Sequence, residues 1–356
     1  MQYLLITSTD GAKKQMKALV LNGPKDFKYN ENWPTPELKE GHVIVKVKYS
    51  GICGSDLPRM MINGAYNHPH ICGHEFMGII QSLPINSTKF KKGDKVAVFP
   101  LIPCKKCNAC MEKEYFHCKS YDFLGSRSNG GFAEYCLVPE ENLFLLPENT
   151  DERIGAFIEP LSVALHFVKQ SGFKQGNTAI IFGAGAIGLL TGMLLKEFGA
   201  KEITIVSRSQ ESLNTARKAG FENVVGINSE EFEQLSDSNF DYCFEAAGSN
   251  QAINQAIELV KNKGTIDIIG RDTKDLHIPL KTFENCMRKE ITIKGCWGYE
   301  IDKEFLYALL SENKIDISSL ITKEIDLSQG EEQIKKMFNK EEYYCKVLFK
   351  IGGNQE

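Results

Sequence analysis

Residues 178–188 read TAIIFGAGAIG. The first five are a short continuous apolar run, which is typical of a strand buried on both faces. The rest fits G-x-G-x-x-G, where the first glycine permits a tight turn, the second lets a pyrophosphate approach the backbone, and the third lets a helix pack on the strand. The helix N-terminus then faces the phosphates. The stretch therefore predicts dinucleotide binding, and its predicted binding residues are Gly183, Gly185, Ala186, Ile187 and Gly188.

Strands and helices alternate downstream of this loop. Short apolar runs are separated by segments with helical periodicity, which indicates a parallel, doubly wound α/β sheet of the Rossmann type. The predicted strands are Glu202–Val206, Asp241–Glu245 and Thr265–Ile269, and the predicted helices are 189–198, 211–219 and 251–261.

The first half of the chain has strand periodicity instead. His42–Tyr49 alternates apolar and polar residues, as a half-buried strand does, and further strands are predicted at 96–99 and 132–138. Frequent Pro and Gly residues favour a small β-barrel with loops. A final strand is predicted at 345–351. We therefore expect the β domain to comprise 16–167 and 302–356, the Rossmann domain 168–301 to be inserted into it, and residues 1–15 to form an N-terminal extension.

Composition excludes several classes of protein. The chain has 356 residues and a net charge of −4, which disfavours binding to nucleic acids or to anionic membranes. No stretch reaches the roughly 18 apolar residues that a membrane span needs, and the N-terminus does not read as an export signal. The expected location is the cytoplasm, where the eleven cysteines would stay reduced.

Four of the cysteines form a cluster with the spacing C-x2-C-x2-C-x7-C, namely Cys104, Cys107, Cys110 and Cys118. Two-residue gaps let successive thiolates turn toward a common centre, and four thiolates leave no coordination position for water. The cluster predicts a structural zinc site. An iron–sulfur cluster and a chance group of thiols are the alternatives.

A second, mixed set of donors indicates a metal site that stays open to substrate. Cys53 lies in Cys-Gly-Ser-Asp, His74 and Glu75 lie in Gly-His-Glu, and Glu159 precedes the sheet domain. Cysteine, histidine and carboxylate together suit a zinc ion that also holds a water or a substrate oxygen. Asp56 is predicted to orient the ring of His74 through its second nitrogen. Any one of these residues alone would more often be structural.

The end of the second Rossmann strand bears on the choice of dinucleotide. An acidic residue there would bind the ribose 2′-hydroxyl of NAD, but this chain has Ser207 and Arg208. A hydroxyl and a guanidinium suit a 2′-phosphate, which favours NADP(H). The alternative is that Arg208 is only a solvated surface residue and that NAD(H) binds without the acid.

Taken together, these motifs resemble the zinc-containing medium-chain dehydrogenase/reductase family, from Met16 almost to the C-terminus. The resemblance implies a GroES-like β-barrel catalytic domain beside the Rossmann domain. It also implies a catalytic zinc at Cys53, His74, Glu75 and Glu159, a structural zinc at the four-cysteine cluster, and a homodimer or homotetramer. Residues 158–163 are similar to the polyol dehydrogenase branch. Five stretches are similar to the galactitol-1-phosphate 5-dehydrogenase subfamily, namely 53–59, 63–65, 121–127, 130–135 and 155–160.

The resemblance implies hydride transfer between a polyol or polyol phosphate and NAD(P), with two zinc ions per chain. Ser55 is then a candidate to pass on the substrate's hydroxyl proton. A phosphorylated substrate needs a cation, for which Arg59 and Arg127 are candidates, and Trp297 and Tyr299 are candidates for the pocket wall. The alternatives are a sorbitol-, threonine- or other secondary-alcohol-type zinc dehydrogenase, and a zinc-less reductase or structural relative. Retention of the zinc-ligand residues disfavours the last of these.

Overall fold

The structure is a computed structural model that describes residues 14–271 and 274–352. They form two compact units. The first comprises the described residues up to Glu159, Lys303–Ser311 and those from Lys323 onward, and the second comprises those of Pro160–Asp302 together with Glu312–Thr322. The predicted N-terminal extension, 1–15, lies almost wholly outside the described residues. The predicted domain boundaries at 168 and 302 stay a prediction. In the described part of the chain, no helix has the length and apolar character needed to cross a membrane.

The strands, in chain order, are β1 Gln15–Gly23, β2 Asp26–Pro34, β3 His42–Ile52, β4 His70–Ile71, β5 Glu75–Ser82, β6 Lys95–Val98, β7 Leu101–Ile102, β8 Asp122–Phe123, β9 Tyr135–Pro139, β10 Leu143–Leu145, β11 Thr178–Phe182, β12 Glu202–Ser207, β13 Asn223–Gly226, β14 Phe240–Glu245, β15 Val260–Ile268, β16 Thr292–Gly295, β17 Ile321–Asp326 and β18 Lys346–Lys350. The α-helices are α1 Asp56–Pro58, α2 Asn108–Met111, α3 Glu152–Gly155, α4 Ile158–Ser171, α5 Ala186–Glu197, α6 Gln210–Lys218, α7 Glu230–Glu233, α8 Asn250–Leu259, α9 Leu280–Arg288, α10 Lys303–Ser311 and α11 Gly330–Asn339.

The first unit is built mainly from antiparallel sheets. Its largest sheet has seven strands in the order β10-β6-β5-β3-β18-β17, with β9 also paired to β3, and a smaller sheet has the order β2-β1-β4. Strand β3 alternates as its sequence predicts, because Val43, Val45 and Val47 are fully buried while their neighbours are partly exposed. The C-terminal strand β18 lies beside β3, with Val347 opposite Ile52. This pairing brings the end of the chain to the loop that follows β3.

The strand predicted at 132–138 begins later, at Tyr135. Residues just before it bond to several different segments instead of to one ladder. The N–H of Gly131 donates to the carbonyl of Gly73, that of Phe132 to Cys72 and that of Glu134 to Lys17. The buried ring of Phe132 therefore packs in the core without belonging to a strand.

The second unit contains a six-stranded sheet in the order β13-β12-β11-β14-β15-β16, in which all neighbouring strands are parallel. Strands β12 and β13 lie on one side of β11, and β14, β15 and β16 lie on the other. This is the doubly wound arrangement, in which the ligand crevice lies at the carboxyl end of the first strand, β11. The predicted Rossmann sheet is confirmed. Ile180 and Phe182 of β11 belong to the buried core of this unit, and Phe167 of α4 packs edge-to-face on Phe244 of β14.

Candidate functional site

The dinucleotide loop lies between β11 and α5. Gly183 has a positive φ of 107°, which only glycine adopts readily, and a Cβ on Gly188 would overlap the carbonyl oxygen of Gly183. A Cβ on Gly185, by contrast, would meet nothing within 4 Å among the described residues. The first and third glycines are thus required by the fold, and the second leaves open space beside the N-terminus of α5. This geometry fits a pyrophosphate on the backbone amides.

Ser207 is the last residue of the neighbouring strand β12, and Arg208 follows it. The hydroxyl of Ser207 lies 2.7 Å from that of Ser212, so the start of α6 already bonds it. Arg208 is exposed, and within the described ranges no carboxylate lies within 4 Å of its guanidinium. A solvent-facing cation without a counter-ion at this strand end can accept an anionic group.

Three predicted metal ligands converge in the first unit. One donor atom each of Cys53, His74 and Glu75 lie within 4.8 Å of one another. Cys53 directly follows β3, and Glu75 begins β5 opposite Gly51. A Cβ on Gly51 would overlap Oε2 of Glu75, so this glycine makes room for the carboxylate. Sulfur, imidazole and carboxylate at these separations fit a tetrahedral zinc ion with an open position.

Asp56 connects the ligands to one another. Its side chain is fully buried, its Oδ2 accepts the N–H of Cys53 at 3.0 Å, and its Oδ1 lies 3.4 Å from Nδ1 of His74. Burial raises the pKa of Asp56, but His74, Arg59 and the Cys53 N–H lower it by more. Burial likewise lowers the pKa of His74, while Asp56 and Cys53 raise it well above its ordinary value. The carboxylate and the sulfur that raise the pKa of His74 create a negative potential at the site. The same potential favours a metal cation.

Glu159 lies outside the group of three ligand atoms. Burial raises its pKa to about 7, helped by Glu75 and opposed by His74. Its role as a ligand stays a prediction. The hydroxyl of Ser55 donates to the sulfur of Cys53 at 3.3 Å and is exposed.

Lys346, at the start of β18, is a member of this site that the sequence analysis missed. It is 4% exposed, and its Nζ lies 2.5 Å from Oε2 of Glu75. Burial lowers the pKa of Lys346, but Glu75 and Cys53 raise it by more. The feature of the sequence that could have identified it is a single lysine within the otherwise apolar run 345–349. The last strand thus supplies a cation to Glu75, which is itself one of the proposed metal ligands.

The four-cysteine cluster also forms. All four sulfurs lie within 4.8 Å of one another, with Cys107 at 3.5 Å and Cys104 at 3.9 Å from Cys110. Cys107 precedes α2, and this turn carries Cys110 back toward the others. Hydrogen bonds from the Lys106 backbone and from Cys118 lower the pKa of the Cys104 thiol to about 6. Four sulfurs at these separations, with no other donor in the group, fit structural zinc.

The four candidate substrate residues have different surroundings. Arg59 lies 3.3 Å from Asp56, and Arg127 is stacked between two tyrosine rings. In the second unit, Trp297 is 58% exposed and faces the guanidinium of Arg271 at 5.6 Å, whereas Tyr299 is buried. The predicted place of Trp297 and Tyr299 in the pocket wall stays a prediction.

A parallel nucleotide-binding sheet and an antiparallel unit with two zinc-type donor sets define the class of zinc-dependent dehydrogenases. Known families agree with this. The family described as "Alcohol dehydrogenase GroES-like domain" matches residues 39–148, and the one described as "Zinc-binding dehydrogenase" matches residues 186–314.

Individual relatives narrow the class. Galactitol 1-phosphate 5-dehydrogenase of Escherichia coli K12 is 37% identical over 300 residues, covering 80% of this chain and 86% of the relative. The crystal structure of the E. coli galactitol-1-phosphate dehydrogenase has a TM-score of 0.86 at 34% identity, covering 94% of this chain and all of that one. "Probable D-xylulose reductase A" of Aspergillus clavatus is 31% identical, covering 93% of this chain and 96% of the relative.

This chain belongs to the zinc-dependent medium-chain dehydrogenase/reductase family, among its polyol and secondary-alcohol dehydrogenases, and it is an oxidoreductase. The predicted GroES-like domain is thereby confirmed. A further similar structure, described as a zinc-binding dehydrogenase from Sinorhizobium meliloti 1021, was solved with NADP bound. Its TM-score is 0.87 at 28% identity, and the match covers 94% of this chain and 99% of that one.

Proposed function

We propose that this protein oxidises a secondary hydroxyl of a polyol phosphate resembling galactitol 1-phosphate, with NADP(H) favoured and NAD(H) as the alternative. The observation that carries the proposal is the convergence of Cys53, His74 and Glu75 beside the buried carboxylate of Asp56. The named substrate of the 37% identical relative supports the choice of polyol phosphate. The second candidate is a polyol reductase or dehydrogenase for an unphosphorylated substrate, supported by the similarity to a xylulose reductase.

In this proposal Cys53, His74 and Glu75 hold one zinc ion, with Glu159 beside them, and the four-cysteine cluster holds a second. Bound at the first site, a zinc ion would supply a Lewis acid for the reacting oxygen, and a bound dinucleotide would supply the donor or acceptor of hydride. Asp56 holds the ring of His74 in place. Ser55, exposed beside the sulfur of Cys53, can carry the hydroxyl proton to solvent.

A cysteine substitution tests the metal assignment. The C53S variant should lose turnover and one zinc ion per chain while it keeps cofactor affinity, because the dinucleotide loop lies in the second unit. Cys286 lies in the last turn of α9 and belongs to neither metal-type group found among the described residues, so C286S is the control. Near-normal activity of C53S would overturn the assignment. A panel of galactitol 1-phosphate, galactitol, xylitol, butanediol and threonine separates the two candidate functions.

Cofactor choice is tested at the tip of β12. The exposed guanidinium of Arg208, which has no carboxylate partner among the described residues, and the NADP in a similar structure support NADP(H). Replacing Arg208 by glutamine should weaken NADPH binding by about tenfold or more and leave NADH binding nearly unchanged, since only NADPH carries the 2′-phosphate. Equal effects on both cofactors would contradict the preference.

We also propose a homodimer or homotetramer that assembles through edge strands. Strand β16 is at one edge of the parallel sheet, and its Ile293 is 41% exposed. An unpaired edge of this kind can pair with a second copy. Light scattering with I293K, which should yield monomers, tests this.

We place the protein in the cytoplasm, because its thiolate ligands require a reducing compartment.

A further inference from the structure

Arg127 is held between two aromatic rings. Its guanidinium carbon lies 4.3 Å from the ring centre of Tyr66 and 4.3 Å from that of Tyr121. The guanidinium thus lies over two tyrosine rings, and its N–H groups are the atoms that can bind a polar partner. In the part of the chain that is described, no carboxylate lies within 4 Å of this cation, and its buried Nε has no hydrogen-bond partner. A half-buried charge without a counter-ion is a site for an anion.

The backbone that carries Arg127 is rigidly bonded. The carbonyl of Phe123 accepts the N–H groups of Ser126, Arg127 and Ser128 at 3.1, 2.9 and 3.2 Å. The side-chain amide of Asn67 donates to the carbonyl of Arg127 at 3.5 Å. The two stacking contacts and this turn orient the guanidinium before any ligand arrives, which reduces the entropy lost on binding.

Aromatic contacts connect this cation to the proposed metal site. Tyr121 packs edge-to-face on Phe123 with ring centres 6.4 Å apart, and Phe123 lies 5.8 Å from the ring of His74. A polyol phosphate places its phosphate several carbon–carbon bonds, each about 1.5 Å long, from the reacting carbon. The rings of Tyr121 and Phe123 thus connect Arg127 to His74 through direct contacts.

Arg59 has a different environment, although the sequence offered it as an equal candidate. Its Nη1 lies 3.3 Å from Oδ1 of Asp56, and the same oxygen lies 3.4 Å from the ring of His74. Arg59 already has a carboxylate partner, and its loss would disturb the residue that orients His74. We therefore expect Arg59 to act as a positioning residue for the metal site.

We propose that Arg127, clamped by Tyr66 and Tyr121, binds the phosphate monoester of the substrate and so determines the preference for phosphorylated over free polyols. This inference rests on the proposed function and identifies the residue behind its substrate class. The planar fork of arginine can donate two parallel hydrogen bonds to phosphate oxygens, which an ammonium cannot reproduce.

The test compares galactitol 1-phosphate with galactitol as substrates of the zinc-loaded enzyme. The R127Q variant should lower kcat/KM for the phosphate ester about 10- to 100-fold through KM, as expected for losing a charge-assisted hydrogen bond, and should leave galactitol within about twofold. R127K should show an intermediate loss. R288Q, on the exposed face of α9, is the matched control and should leave kcat/KM for both substrates unchanged. R59Q should lower kcat/KM for both substrates alike and should reduce the zinc content.

The inference would be overturned if R127Q lowered kcat/KM equally for both substrates, or for neither. It would also be overturned if the wild-type enzyme oxidised galactitol as efficiently as galactitol 1-phosphate. Inorganic phosphate provides a readout that does not depend on turnover. Calorimetry should detect phosphate binding to the wild type and to R288Q but not to R127Q. If the wild type oxidises neither substrate, the proposed function fails. In that case phosphate binding still decides the role of Arg127, because equal binding to R127Q and wild type would refute it.

Discussion

Replacing Lys346 by methionine should strongly destabilise the protein. The Lys346–Glu75 ion pair is nearly inaccessible, with side-chain exposures of 5% and 2% and an N–O distance of 2.5 Å. Methionine keeps most of the apolar volume but leaves the carboxylate of Glu75 buried without its cation. Breaking a buried pair in this way costs about 3–5 kcal/mol, since the remaining charge is desolvated and uncompensated.

The matched control is Lys323 in the same unit, whose pair with Glu342 spans 3.2 Å at exposures of 40% and 36%. Solvent screens this exposed pair, so K323M should cost only about 0–1 kcal/mol. Urea unfolding followed by circular dichroism measures the difference, with all variants kept metal-free so that no zinc ion replaces the cation that Glu75 has lost. With a slope of about 2–3 kcal/mol/M, a loss of about 3 kcal/mol lowers the midpoint by about 1 M or more.

A midpoint for K346M no lower than that of K323M would refute the reasoning. The double variant K346M/E75Q provides a second check, because it removes the stranded carboxylate together with its cation. It should regain part of the stability that K346M loses. K346R, which keeps the positive charge, should lose less than K346M. If the double variant were less stable than K346M by the full cost of E75Q alone, the two residues would not be coupled.

Three further predictions concern other parts of the chain. C107S should lower the zinc content by one ion per chain and reduce the thermal midpoint; an unchanged zinc content would argue against a structural metal. G188A should destabilise the protein because its Cβ overlaps the carbonyl of Gly183, whereas G185A should fold normally but bind NAD(P) more weakly; calorimetry and thermal melts of both distinguish packing from binding. Burial raises the pKa of Asp241, but hydrogen bonds from Lys261 and Thr178 lower it by more. Its stabilisation is therefore present above the unfolded pKa of about 3.9 and is lost as the pH falls through the lower folded value. Wild type should lose more stability than D241N on acidification below about pH 4, and parallel curves would contradict this.

Local spacing was sufficient to predict much of the molecule. The loop at 183–188, the Cys104–Cys118 cluster and the alternation of β3 are encoded within short segments, because turn geometry and side-chain period act over a few residues. For the same reason the parallel sheet could be predicted from the sequence of β/α units. The start of β9 could not, since the residues before it bond to two separate segments, one at Cys72 and Gly73 and one at Lys17.

The pairing of Arg127 with its rings, and the different environment of Arg59, needed the fold. In the sequence both arginines were equivalent, as each lies on a loop near the proposed zinc ligands. Only the packed structure places one beside the buried carboxylate of Asp56 and the other between Tyr66 and Tyr121. Loop side chains owe such surroundings to several segments at once, which no local pattern records.

The sequence by itself determined the class of chemistry, because the glycine loop and the cysteine and Gly-His-Glu motifs carry donor types and spacings that suit a dinucleotide and zinc. Only the tertiary structure decided which charged residues pair with those donors. Lys346 and Glu75 are 271 residues apart, and they meet because antiparallel pairing places β18 against β3, while β3 also pairs with β5. A buried charge is tolerated only where the fold delivers its counter-charge, so such a pair is set by topology and cannot be read from either segment.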